Sequence, residues 1–141
     1  MIIDTKYVFL IIFLFFLKIC FFKSEIMSNK LKVKLVTTDE DKKNGLMFID
    51  YLDKNEGMLF KFDPGFNSIW MKNTYIPLDV LFLDKRFKVI GFVEDTVPLS
   101  LDSVGINKPS DYILEVNAGW IRKNNIKIEN IIDIELIKEL S

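Results

Sequence analysis

The sequence predicts one mainly β domain, a compact antiparallel sandwich or distorted, jelly-roll-like barrel with one or two short helices. Residues 31–141 divide into short apolar or alternating runs that are separated by turn residues, which is typical of strands. Long helices alternating with strands, as a parallel α/β sheet requires, are absent from the pattern. At 141 residues the chain has the length of a single domain.

The first half of this domain is predicted to contain two strands and a short helix. Lys30–Val36 alternates apolar residues with lysines, which indicates a half-buried strand suited to a sheet edge. Thr38–Asp41 resembles a capping box, and Asn44-Gly45 is a stop signal, so the helix between them is short. Gly57–Phe62 is predicted to be a strand that ends at the turn Asp63–Gly65.

The second half supplies the remaining strands. Asp84-Lys85 has the composition of a tight hairpin turn, Asp95–Pro109 that of a long polar loop, and Trp120–Asn125 that of one helical turn. The predicted strands are Phe66–Met71, Leu78–Leu83, Phe87–Val93, Tyr112–Val116 and Ile131–Ile137. Leu78–Leu83 is apolar on both faces except for Asp79, which predicts a central, buried strand.

A leader is predicted before the domain, with residues 1–23 as a signal peptide or N-terminal membrane anchor and residues 24–30 as a linker. Eighteen of the first 22 residues are apolar, and Tyr7–Leu17 is an unbroken run of eleven. This is the length of a signal-peptide core, whereas a membrane span takes about 20 residues. We therefore expect an extracytoplasmic domain, either periplasmic or membrane-anchored, with the membrane as a partner of the N-terminal segment.

The sequence leaves the processing of this leader open. Ser24 supplies only one of the two small residues that cleavage requires, and a snorkelling Lys18 is compatible with an uncleaved anchor. Cys20 lacks the preceding small residues of a lipidation site, so we interpret it as a membrane-embedded apolar residue. Translation from Met27 would instead produce a leaderless cytosolic domain.

Composition excludes several classes of function. The chain has no histidine and one cysteine, which excludes Ser-His-Asp and Cys-His catalysis, imidazole metal sites and an internal disulfide. Arg86 and Arg122 are the only arginines, so the basic face of a nucleic-acid-binding protein is not expected. We predict no metal, no cofactor, no nucleic-acid partner and a monomeric domain.

Two carboxylates are candidate functional groups. Asp79 lies on the buried strand, and a carboxylate in poor solvent must be paired or hydrogen-bonded. It is either a general acid or base at the floor of a cleft or a structural acceptor for the N–H groups of residues 73–76, and we favour the structural role. Glu115 shares a strand face with Ile113, and together with Asp79 it could form the carboxylate pair of a glycoside hydrolase.

Aromatic residues offer a candidate binding surface. Trp70 and Tyr75 flank the polar corner 72–74, and with Trp120 they could form a platform for a sugar or another flat ligand. Packing in the core is the alternative role for these aromatic residues. The ligand-binding candidates are therefore Trp70, Lys72, Asn73, Thr74, Tyr75, Asp79, Glu115 and Trp120.

Several motifs together resemble the DUF192 (UPF0127) family of small bacterial and archaeal proteins, which are often exported. The motifs are Gly45-Leu46-Met47-Phe48, Gly57-Met58-Leu59-Phe60, Trp70-Met71-Lys72-Asn73-Thr74, Ile76-Pro77-Leu78-Asp79 and Leu114-Glu115-Val116-Asn117-Ala118-Gly119. The resemblance covers residues 31–138 and implies a compact β-rich domain without an established activity. The chain departs from the family pattern at Ile49, where an arginine is usual, and at Glu129-Asn130, where Gly-Asp is common.

Three hypotheses about function follow. The first is an exported or membrane-tethered β domain that binds a small ligand, such as a carbohydrate, or an envelope partner without catalysis, and this is the one that we favour. The alternative is a hydrolase of envelope carbohydrate that uses Asp79 and Glu115. A purely structural or accessory module of an envelope complex is the third.

Overall fold

The computed structural model describes residues 4–25 and 30–141, and the side chains of residues 18–25 are not included in the description. Residues 26–29 of the predicted linker (24–30), the alternative start at Met27 and the side chain of Cys20 therefore lie outside the described residues. The elements in chain order are α1 (Thr5–Glu25), β1 (Leu31–Val36), α2 (Asp39–Asn44), β2 (Glu56–Gly65), β3 (Ser68–Ile69), β4 (Leu78–Leu83), β5 (Val89–Val93), β6 (Val104–Gly105), β7 (Ser110–Asn117), α3 (Trp120–Lys123) and β8 (Ile134–Ile137).

Helix α1 covers most of the predicted leader. Its apolar residues from Tyr7 to Leu17 are all exposed, with Phe9 the most accessible at 74%. Over the two described ranges, no helix combines the length and the apolarity needed to cross a membrane.

The predicted mainly β class is confirmed. Six strands form one sheet in the order β5-β4-β7-β2-β1-β8, and β3 pairs with β6 in a small second sheet. The six-stranded sheet is mixed, because β1 runs parallel to both β2 and β8 while the other pairs are antiparallel. It is an open sheet and does not close into a barrel within the described residues.

The prediction that β1 lies at a sheet edge is wrong, because β1 pairs with a neighbouring strand on each side. Residues 37–55, which include α2, separate β1 from β2 and return the chain to the same end of the sheet, so the pair is parallel. The last strand then pairs with β1, from Leu31 opposite Ile134 to Lys34 opposite Ile137. The edge strands are therefore β8 and β5, and β5 pairs only with β4 in this sheet.

Each face of the sheet is covered by its own apolar core. We call them core A, which contains Leu81, Leu114 and Val116, and core B, which contains Phe60, Val80 and Ile113. All six residues of β4 are buried, as predicted for a central strand. Because side chains alternate along a strand, neighbours in sequence belong to different cores.

Local sequence signals are confirmed around α2, which begins at the predicted cap. The Thr38 hydroxyl accepts a hydrogen bond from the N–H of Asp41 at 3.1 Å. Gly45 ends the helix with a φ of +48°, a conformation that favours glycine. In β2, Gly57 is required for a different reason, because a Cβ there would lie 2.6 Å from the backbone oxygen of Glu115.

Some predicted strands are shorter in the structure. Only Ser68–Ile69 of the run from Phe66 to Met71 is a strand, and it pairs with β6 in the long polar loop. The final strand begins at Ile134, and Ile131 makes an isolated bridge to Lys88 instead.

Candidate functional site in core B

The most unusual group in the domain is the carboxyl of Glu115. Glu115 lies on β7 between Met58 of β2 and Val80 of β4, and it points to the core B side of the sheet. The residue is 5% exposed, and its Oε2 atom is buried without a hydrogen-bond partner. Burial raises the pKa of Glu115 from its ordinary value of 4.5 to about 8, because the apolar surroundings destabilise the ionised form.

Glu115 lines a small cavity of about 20 Å³, which we call the Glu115 pocket. A cavity of this size has room for about one water molecule. Its walls come from α2 and the turn after it, from β2, and from the segment 69–74. The lining residues are Lys42, Lys43, Asn44, Gly45, Leu46, Met47, Phe60, Ile69, Trp70, Thr74 and Glu115.

Exposed aromatic rings lie beside this pocket and form what we call the aromatic rim, Phe48, Trp70 and Tyr75. Their exposed fractions are 63%, 39% and 47%, respectively. The rings of Phe48 and Tyr75 meet edge to face with their centroids 6.0 Å apart. The Lys72 amine lies 5.1 Å from the centroid of the Trp70 ring, so this face of the indole already contacts a cation.

The backbone beside the rim is strained at three bulky or polar residues. Phe48, Asn73 and Leu99 have φ values of +64°, +54° and +65°, and none of them is glycine. Hydrogen bonds hold these loops together, from the N–H of Phe48 to the carbonyl of Asn73 (2.8 Å) and from the N–H of Leu99 to the carbonyl of Thr74 (3.1 Å). Strain of this kind persists only where the surroundings enforce it, and it is frequent at binding sites.

Asp79 has a structural role, but its partners differ from those predicted. It is fully buried, and its two carboxylate oxygens accept hydrogen bonds from the N–H groups of Asp95 (3.0 Å) and Ile121 (2.9 Å). The expected donors at residues 73–76 are therefore wrong. Asp79 instead connects β4 to the loop after β5 and to α3.

The predicted carboxylate pair is also wrong, because the sheet separates its two members. Asp79 lies opposite Val116 and shares the core A face, whereas Glu115 lies opposite Val80 and shares the core B face. Both carboxyl groups of a glycoside hydrolase must flank the same glycosidic bond. Two groups on opposite faces of one sheet cannot do this.

Trp120 is also separate from the rim. It packs against core A and lines a larger cleft of about 550 Å³ together with Ile126 and Ile131. The size of this cleft would suit a ligand, but neither of the two unpartnered buried side-chain atoms of the described residues lies in it. For this reason the Glu115 pocket is the stronger candidate site.

Five of the predicted ligand-binding residues other than Glu115 do lie together on the core B side. Trp70 and Thr74 line the Glu115 pocket, Tyr75 is on the rim, and Lys72 covers the Trp70 ring. The side-chain amide of Asn73 lies 3.9 Å from the sulfur of Met47. Within residues 4–25 and 30–141, no group of three or more His, Cys, Asp or Glu residues is placed to hold a metal ion.

Comparison with known proteins identifies the family of this chain. Residues 21–134 match the family model for DUF192, described as an uncharacterised group of proteins. The chain belongs to the DUF192 family. A comparison with curated proteins found no match.

Two crystal structures resemble this DUF192 chain. One, described as a proposed transcription regulator from Sinorhizobium meliloti 1021, is 33% identical with a TM-score of 0.67, and the match covers 69% of this chain and 76% of the other. The second, a protein of unknown function from Novosphingobium aromaticivorans, is 32% identical with a TM-score of 0.66, and the match covers 69% and 70%.

Four of the five motifs named in the sequence analysis contribute residues to the Glu115 pocket. Gly45–Met47 forms one wall, Trp70 and Thr74 form another, and Phe60 and Glu115 contribute from β2 and β7. Sequence reasoning missed Met47 and Phe48 as members of the site. Their place beside Gly45 in a family motif was a signal, but the positive φ of Phe48 and its contact with Tyr75 depend on tertiary structure.

Proposed function

We propose that this DUF192 protein is a binding domain that takes a small ligand at the aromatic rim and the Glu115 pocket, without catalysis. One observation carries the proposal, namely a buried carboxyl with an unpartnered oxygen beside exposed aromatic rings. Buried polar atoms are usually satisfied within the protein, so an unsatisfied one beside a cavity favours a ligand or water as its partner. The separation of Asp79 from Glu115 removes the pair on which the hydrolase hypothesis depends.

The binding site is tested by following backbone amide resonances while phenol or N-acetylglucosamine is added. Phenol represents flat aromatic ligands and the sugar represents carbohydrates, and both types of ring stack on tryptophan and tyrosine. We expect shift changes confined to the amides of Phe48, Trp70, Thr74 and Tyr75. Trp70→Ala removes the stacking surface and should weaken binding about tenfold, which corresponds to about 1.4 kcal/mol.

Trp120→Ala is the matched control, because Trp120 lies on the core A side. It should leave the affinity of either probe unchanged. Shift changes centred on the Trp120 cleft, or equal losses in the two tryptophan variants, would contradict the proposal. The absence of shift changes at the rim with both probes would also contradict it.

We further propose that the N-terminal segment directs the domain out of the cytoplasm. The eleven apolar residues Tyr7–Leu17 lie on α1 with their side chains exposed, which suits recognition as the apolar core of a signal peptide. The domain itself, residues 31–141, contains no cysteine, so it can fold in an oxidising compartment without forming a disulfide.

A fusion to a reporter enzyme that is active only outside the cytoplasm tests this second proposal. The full chain should give activity, and both deletion of residues 1–26 and Phe13→Arg in the middle of the apolar run should abolish it. Leu35→Arg, an exposed position in the domain, is the control for adding an arginine. Equal activity with and without residues 1–26 would show that the segment is not an export signal. The mass of the exported product distinguishes a cleaved leader from a retained anchor.

A further inference from the structure

The surroundings of Glu115 determine which charge state this residue has in the folded protein. The strands on either side contribute apolar neighbours, Met58 and Val80, and the segment 69–74 contributes Trp70 and Thr74. In the described residues no lysine or arginine nitrogen lies within 4.0 Å of the Glu115 carboxyl. An ionised Glu115 would therefore be a buried charge without a counter-ion.

The lysines nearest to the pocket do not pair with Glu115. Lys42 and Lys43 of α2 line the cavity, but the Lys42 amine lies 3.2 Å from Asp39 and 5.1 Å from the centroid of the Phe62 ring. Lys43 is exposed, and the Lys72 amine lies over Trp70 on the rim. Besides Glu115, Lys42 and Lys43 are the charged residues that line the pocket, and neither amine lies within 4.0 Å of the Glu115 carboxyl.

A neutral carboxyl offers one O–H donor and retains acceptor capacity. Oε2 is the atom without a partner, and the cavity beside it has room for one atom of a ligand with its hydrogens. An anionic group placed there would lose its hydration shell without meeting a cation within the pocket. A cationic group would need an ionised Glu115 and would form a buried ion pair, whose desolvation cost is large.

We propose that Glu115 determines the specificity of the site by donating a hydrogen bond, as an uncharged acid, to a neutral oxygen of the ligand, such as an amide carbonyl or a hydroxyl. The rest of the ligand lies on the aromatic rim, where Trp70 and Tyr75 accept a flat or ring-shaped body. This inference rests on the proposed function, because it requires that the rim and the pocket bind one molecule.

Three probes with the same phenyl ring test this inference. Benzamide carries a neutral carbonyl, benzamidinium a cation and benzoate an anion, and their dissociation constants are measured at pH 6.5 from shift changes at Trp70 and Thr74. We expect benzamide to bind at least tenfold more tightly than either charged probe. Raising the pH to 9 should weaken benzamide binding about tenfold, because burial raises the pKa of Glu115 to about 8 and most of its O–H donors are lost.

Glu115→Gln is the informative variant, because glutamine keeps an uncharged donor of nearly the same shape. It should bind benzamide at pH 6.5 and lose the weakening at pH 9. Glu115→Met removes the donor and should abolish the preference for benzamide, and an unchanged pattern of amide resonances outside the site shows that either variant is folded. Trp120→Ala, on the core A side of the sheet, is the control and should keep both the binding of benzamide and its pH dependence.

The two proposals fail in different ways. Tighter binding of benzamidinium or benzoate at the rim, or an unchanged pH dependence in Glu115→Gln, overturns the inference about Glu115 and leaves the binding site in place. If none of the three probes shifts the rim resonances, the proposed function is overturned together with this inference.

Discussion

Asp79→Ala is expected to cost about 1–3 kcal/mol of the free energy of unfolding, because it leaves the buried N–H of Ile121 without an acceptor. The N–H of Asp95 loses its acceptor too, but Asp95 is exposed and water can replace the missing oxygen. The expected loss is a substantial part of the stability of a small domain, which is about 5–15 kcal/mol. Denaturant unfolding followed by fluorescence or circular dichroism measures the loss.

Asp79→Asn should cost clearly less than Asp79→Ala, because the amide keeps one oxygen that can accept one of the two hydrogen bonds. Asp102→Ala is the matched control, because Asp102 is exposed in the polar loop. A loss below about 1 kcal/mol for Asp79→Ala, or equal stability of the alanine and asparagine variants, would contradict the structural role that the two hydrogen bonds assign to Asp79.

The second large effect concerns the pH dependence of stability. Because burial raises the folded pKa of Glu115 to about 8, the folded protein binds a proton that the unfolded chain has released above pH 4.5. The resulting stability is fully present below about pH 4.5 and is lost as the pH rises through about 8. Glu115→Gln removes this dependence, and it should be more stable than the wild type by about 3 kcal/mol at pH 7.

The free energy of unfolding of both proteins across this pH range checks the prediction. Near pH 4 the two should have nearly equal stability, because Glu115 is then protonated in the folded and unfolded states. Glu135→Gln, at an exposed strand position, should show no such divergence from the wild type. A constant difference between wild type and Glu115→Gln at all pH values would mean that Glu115 does not titrate as its burial requires.

Local patterns in the sequence were sufficient to predict the central strand and the cap of the short helix. Six buried residues in β4 and the Thr38 hydrogen bond to Asp41 both follow from residues close to one another in the chain. The place of β1 did not follow, because its alternation of apolar residues and lysines fits any half-exposed strand. The second side of β1 is covered only because the last strand, β8, pairs with it.

The candidate site also depends on features that local sequence patterns do not predict. The residue types of the candidate site are visible in the sequence, but which of them meet depends on strand register. A shift of one residue changes the face of the sheet on which a side chain lies. Asp79 and Glu115 are paired with Val116 and Val80, so the register puts the two carboxylates on opposite faces. The donors of Asp79 come from a loop 16 residues away and from α3, 42 residues away, and no local pattern indicates them.

The pairing of β1 with β8 has a consequence for the order in which the domain forms. The first strand acquires its second neighbour only when residues 134–137 have been synthesised, about one hundred residues later. Until then the edge of β1 that β8 covers is unpaired. For the export proposed above, in which the chain would cross the membrane unfolded, a sheet that is completed only by its last strand delays closure of the fold until synthesis is nearly finished.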